Sequence, residues 1–146
     1  ALGAIPRLLD IGVLPDIMAG NIIGVIAQRL VRKLCPHCRK PFTPGREELR
    51  ILGMEPHRQG PVLYRASGCQ LCDYQGYRGR IAIMEILRMD DDIDDLIVRR
   101  ATHREIRMAA ATKGFRTLAD DGVRRVLEGV TALEEVMRVI DMTERM

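Results

Sequence analysis

All four cysteines of this chain fall in two C-x-x-C pairs, Cys35 and Cys38 in "CPHCRKPF" and Cys69 and Cys72 in "CQLCDYQGYRGR", with thirty residues between the pairs. A C-x-x-C turn puts two sulfurs on one side of a tight loop, and two such turns complete a tetrahedron of four thiolates around Zn²⁺. The gap exceeds the usual zinc-ribbon spacing, so the segment between the pairs must fold as an excursion of its own. Other metals, two disulfides or a redox protein are the competing readings; a thioredoxin-type site needs only one C-x-x-C. Arg7 and Asp10 interrupt the first twenty residues, and no run of eighteen apolar residues occurs, so neither a signal peptide nor a membrane span is expected. The expected site is a structural zinc held by Cys35, Cys38, Cys69 and Cys72 in a cytosolic chain, with no coordination position left for water.

Energetics favour the metal. Phe42, Leu49, Leu52, Leu63 and Tyr64 are few large apolar residues for the segment between the knuckles, whereas structural zinc contributes an apparent ~10–16 kcal/mol. Arg32, Lys33, Arg39 and Lys40 lie close in sequence and should offset the double negative charge of a four-thiolate site. His37 sits inside the first knuckle but is superfluous beside four sulfurs, and His57 and His103 have no companion at a ligand spacing. Residues 1–80 hold 12 Lys/Arg against 6 Asp/Glu, and residues 81–146 hold 11 against 14. Basic zinc ribbons often bind nucleic acid, so a freestanding zinc-ribbon nucleic-acid-binding module is the alternative; only Phe42, Tyr64, Tyr74 and Tyr77 could stack bases for it.

At 146 residues, 47% apolar but 3% aromatic and without tryptophan, the chain must pack on aliphatic side chains, which favours helices over a β-sandwich. Ile22, Ile23, Ile26, Leu30 and Leu34 fall at helical spacing after a candidate cap, Asn21, and predict an amphipathic helix over Gly24–Leu34 that delivers the chain to Cys35. "REELRIL" predicts a short helix, and "PVLYRA" and "GRIAIMEIL" predict strands. Beyond Asp90, Thr102 with Glu105 and Thr131 with Glu134 fit the S/T-x-x-E capping box, and Asp92 with Asp95 is a weaker variant. Each precedes an apolar stripe: Ile93, Leu96 and Ile97; Ile106 and Ala110; Leu133, Val136, Met137 and Ile140. A further stripe, Leu118, Val123, Val126 and Leu127, lies between them, and Gly114 and Gly129 fall where helices should stop.

The runs "IIGVIAQRLVRKLCPHCRKPF", "GCQLCDYQGYRGRIAIMEIL" and "DDGVRRVLEGVTALEEVMRV", in that order, resemble the C-terminal part of the type II secretion and type IV pilus assembly ATPases. "ALGAIPRLLDIGV" resembles the family segment that follows its histidine-rich box, and a first residue of Ala rather than Met fits a fragment of something longer. The resemblance implies an α/β tail of a RecA-like P-loop NTPase core (residues 1–34), a small tetracysteine zinc-binding insertion (35–80), a returning strand (81–89) and a C-terminal all-α helical subdomain (90–146). It implies a parent that is a homohexameric ATPase, cytoplasmic and peripheral to the bacterial inner membrane, working with the secretion or pilus platform proteins there. Neither direct membrane insertion nor a nucleic-acid partner is implied. The chain has no G-x-x-x-x-G-K-[ST] loop and no apolar strand ending in magnesium-holding acids, so ATP and Mg²⁺ are expected in the parent only, with no catalytic or nucleotide-binding residue here. The resemblance also leaves Arg29 in "AQRL" either near a nucleotide or subunit interface or simply in solvent.

Overall fold

The computed structural model describes residues 1–55 and 60–142, so His57 lies outside the described residues. In chain order the elements are α1 (Ala4–Asp10), α2 (Pro15–Met18), β1 (Gly24–Leu34), β2 (Lys40–Phe42), α3 (Arg46–Leu52), β3 (Leu63–Arg65), β4 (Tyr77–Arg88), α4 (Asp91–Val98), α5 (His103–Thr112), α6 (Leu118–Leu127) and α7 (Leu133–Val139). They form a mixed α/β chain of two compact units, Ala1–Ala27 with Met84–Thr117, and Gln28–Ile83 with Leu118 onward. The four helices that follow Asp90 are therefore shared, α4 and α5 in the first unit and α6 and α7 in the second.

The helix expected over Gly24–Leu34 is a strand. Ile22, Ile26, Leu30 and Leu34 are spaced by four, and a step of four keeps a residue on one face of a helix and equally on one face of a strand, whose period is two. The β-branched Val25, Ile26 and Val31 favour the extended form, and β4 offers a pairing partner. The Cys35 N–H donates to the Gly76 carbonyl at 2.9 Å past one end of this pair, and the Met89 N–H to the Ile23 carbonyl at 3.1 Å past the other, so the strands run in opposite directions. Asn21 caps no helix start; its side-chain amide donates instead to the Ile17 carbonyl at the end of α2.

In the first unit, Leu2, Ile5, Met18, Leu87, Met89, Ile93, Leu96, Ile97, Ile106 and Ala110 form the core. The cap of α4 is Asp90, two residues before the expected Asp92, and it accepts from the Ile93 N–H at 3.2 Å. Asp92 instead pairs with Lys113, which also reaches Asp90. The Thr102–Glu105 capping box forms as expected: the Thr102 hydroxyl accepts from the Glu105 N–H at 3.3 Å, while the Glu105 carboxylate accepts from the Thr102 N–H at 2.8 Å.

In the second unit, Ile51, Leu52 and Leu63 from the segment between the cysteine pairs share one core with Val123, Val126, Leu133, Val136 and Met142. The excursion is not left to its own few apolar residues; α6 and α7 complete its core. The end of β1 is also clamped to the α6–α7 turn. The Leu34 N–H donates to the Val130 carbonyl at 2.9 Å, and the Thr131 hydroxyl to the Arg32 carbonyl at 2.8 Å. Thr131 is therefore no helix cap: α7 starts from Ala132, and the buried hydroxyl has taken a tertiary acceptor instead. Glu135, 2% exposed, accepts from the Arg32 N–H at 3.1 Å and the Arg32 guanidinium at 2.7 Å, and from Arg138 at 2.8 Å.

Burial opposes ionisation of Glu135, but these arginine side-chain and backbone hydrogen bonds more than offset it and hold the carboxyl at about 2, well below its ordinary 4.5. A depressed carboxyl contributes stability that is present above 4.5 and lost as the pH falls toward 2, here about 3 kcal/mol at neutral pH. Urea unfolding of wild type and Glu135→Gln should accordingly show a gap of about that size at pH 7 that closes between pH 5 and 2. A gap independent of pH would refute this role for the carboxylate.

Candidate metal centre

The two cysteine pairs meet because the chain between them doubles back. β2 begins two residues after Cys38 and pairs antiparallel with β3, four residues before Cys69, in the register Lys40 to Arg65, Pro41 to Tyr64 and Phe42 to Leu63. The first knuckle turns tightly, with the Cys38 and Arg39 N–H groups donating to the Cys35 carbonyl at 3.3 and 3.0 Å. The second is a single 3₁₀ turn, Gln70–Cys72, followed by Asp73 and Tyr74 in the left-handed region.

The four sulfurs lie within 4.8 Å of one another, with Cys35–Cys69 at 3.9 Å, Cys38–Cys72 at 3.8 Å and Cys69–Cys72 at 3.7 Å. A regular tetrahedron with Zn–S bonds of about 2.3 Å has edges of about 3.8 Å, so the spacing fits a zinc ion at its centre. It is nearly twice the length of a disulfide bond, about 2.05 Å, and all four cysteines are unbridged. Cys35 and Cys72 are buried and Cys38 and Cys69 half-buried. A closed set of this kind supports a structural Zn²⁺ site.

Backbone N–H groups are aimed at the sulfurs: Gly68 at Cys38 at 3.2 Å, and Cys69 and Gly76 at Cys72 at 3.3 Å each. Burial works against a thiolate at Cys72, but the Cys69 and Gly76 N–H donors hold its pKa down to about 7. At Cys69 burial and the hydrogen bond shared with Cys72 push the thiol up to about 11, so the pair favours one negative charge until a dication neutralises more. Gly76 is required by conformation and space: its φ is +74°, and a Cβ there would meet that of Ala66 at 2.7 Å. The sequence reading missed Gly68 and Gly76 as sulfur donors; their signal was the placing of glycine immediately before and four residues after the second pair.

The other expected residues take different places. His37 is exposed, and the metal-holding cluster among the described residues consists of the four cysteines alone. His103 is exposed at the first turn of α5. Arg29 lies exposed on β1, its guanidinium donating to the Gln28 carbonyl at 3.1 Å. Arg32 belongs to the Glu135 clamp, and Arg39 donates to the Gly129 carbonyl and stacks on Tyr64. Of the candidate base-stacking aromatics, Tyr77, Tyr64 and Phe42 each lie under a guanidinium of this chain, from Arg32, Arg39 and Arg65, at 4.1, 4.3 and 4.0 Å from the ring centroid. Tyr74 is 70% exposed.

Residues 1–138 match the family described as "Type II/IV secretion system protein". The chain belongs to that family. It is 45% identical over 139 residues to the type II secretion system protein E of Pseudomonas aeruginosa and 42% identical over 141 residues to the type II secretion system ATPase E of Vibrio cholerae. In each case the alignment takes in 95% of this chain and 27% of the relative. It is also 45% identical over 138 residues, 94% of its length, to the type IV pilus assembly ATPase PilB of Thermus thermophilus, of which that stretch is 16%. The chain thus spans about a quarter or less of these relatives. No helix among the described residues is long and apolar enough to cross a membrane.

Zinc removal provides the direct check on packing. Chelation, or Cys69→Ser, should abolish amide protection in residues 28–83 and in α6 and α7, which share their core, while α4 and α5 keep theirs. Loss confined to residues 35–80, or spread evenly over the chain, would contradict the shared core.

Proposed function

We propose that this chain is the C-terminal, zinc-stabilised part of a hexameric ATPase that powers type II protein secretion or type IV pilus assembly. The observation that carries the reading is the family match over residues 1–138, which includes both cysteine knuckles and the helices that complete their core. Relatives named as ATPases of both systems align along nearly the whole chain. In this reading residues 1–34 complete a RecA-like core, residues 35–80 bind Zn²⁺ through Cys35, Cys38, Cys69 and Cys72, and the helices beyond Asp90 couple the subunit to its neighbours. The motor works in the cytoplasm at the inner membrane, against the platform proteins of the secretion or pilus machine.

The division of labour follows from the chemistry. A closed four-thiolate zinc has no position for water or substrate and performs no hydrolysis. The 146 residues also contain no phosphate-cradling loop, so ATP and Mg²⁺ belong to the parent outside this stretch. The stacking of Arg32, Arg39 and Arg65 on three of the four candidate aromatics weighs against the nucleic-acid module, because those ring faces are already occupied.

In the full-length protein, Cys35→Ser should impair secretion or pilus assembly more than nucleotide binding, and the isolated chain should hydrolyse no ATP above background. Affinity, hydrolysis and assembly are to be measured side by side against wild type. Nucleotide affinity falling as steeply as assembly would make the zinc region part of the nucleotide site and defeat the proposed separation.

A further inference from the structure

Beside the first knuckle, within the second unit, a cavity of about 430 Å³ is lined by Lys33, Arg39 and Arg78, with Leu34, Pro36 and Val130 as apolar wall. Its lining holds three cations and no carboxylate. Among the described residues Lys33, Arg39 and Arg78 make no ion pair, and the sulfurs take their hydrogen bonds from backbone N–H groups and from one another. These charges are therefore spent neither on acidic partners nor on direct contact with the metal centre.

One of the three cations is also held in place, while Lys33 and Arg78 are exposed at the rim. Arg39 is fixed by its bond to the Gly129 carbonyl and by its stacking on Tyr64 at 4.3 Å. Gly129 is itself dictated by this contact: its φ is +69°, and a Cβ would meet the Tyr64 ring at 2.8 Å. Three like charges facing one space repel, and an anion between them removes the cost. The geometry points to a binding site for a phosphate group carried on a larger organic body. A phosphate dianion matches several cations better than a carboxylate does: Arg78 offers a forked donor, Arg39 keeps the N–H groups that Gly129 does not take, and the lysine adds a point charge. The volume lies within the roughly 300–1,000 Å³ of small-molecule sites, and the apolar wall gives the remainder of the ligand a surface.

The test uses the zinc-loaded chain at low salt, titrated calorimetrically with inorganic phosphate and sedimented with phosphatidylglycerol vesicles, with phosphatidylcholine vesicles as the neutral comparison. Lys33→Ala/Arg78→Ala empties the site of two exposed cations while Arg39 keeps its anchoring role. Arg46→Ala/Arg50→Ala removes the same charge from α3, and zinc content verifies the fold of both. Binding should fall on the order of tenfold or more in the pocket variant and stay near wild type in the α3 variant. Affinity for inorganic phosphate would assign a soluble phosphate compound, and binding to anionic vesicles alone would assign a lipid headgroup. Should the pocket variant lose zinc, Arg78→Gln replaces it under the same expectation. Absence of binding to both probes, or an equal loss in the α3 variant, would overturn the inference.

Discussion

Four sulfur atoms gathered within 4.8 Å make a costly arrangement unless a cation sits among them. Ionised, they repel; protonated and partly buried, they offer weak donors that cannot all be well satisfied. Zn²⁺ resolves the conflict, and the remaining features of the second unit follow from where its ligands must stand. Cys35 has to arrive at the end of β1, Cys38 has to lead into β2, and Cys69 has to follow β3 closely. The short β2–β3 pair closes the excursion, and α3 packs Ile51 and Leu52 onto the same core as Val126 and Val136.

The position of Cys35 depends equally on the clamp that holds the end of β1 to the α6–α7 turn. A buried carboxylate with two arginines, a buried hydroxyl on a strand carbonyl and a backbone bond from Leu34 leave little freedom for the strand that enters the metal site. The metal and helices α6 and α7 therefore stabilise one cooperative unit. For the proposed motor, a change at α7 would be felt at the zinc knuckles through Arg32 and Glu135, without any chemistry at the metal itself.

The sequence made the metal site legible because four-thiolate coordination tolerates few other residue patterns, and the Thr102–Glu105 box because its satisfaction is local. The "REELRIL" helix was legible for the same reason, and the "GRIAIMEIL" strand because its β-branched residues alternate with others at the strand period. β1 was not, since an apolar step of four suits helix and strand alike and only the pairing with β4 decides. Thr131 looked like a cap until the Arg32 carbonyl, ninety-nine residues away in sequence, took its hydroxyl. The shared core was hidden too: apolar stripes on α6 and α7 announce a buried face without naming what covers it, and the answer lies in Ile51, Leu52 and Leu63. Family membership reaches further than either, because it rests on residues 1–138 taken together.

X-ray absorption at the zinc edge of protein purified without added metal tests the central claim most directly. The account expects one zinc per chain with a single shell of four sulfurs at about 2.3 Å. A nitrogen at about 2.0 Å, which would bring His37 into the shell, or an oxygen from water would show an incomplete thiolate set. Protein that keeps its fold with no zinc at all would contradict the account outright.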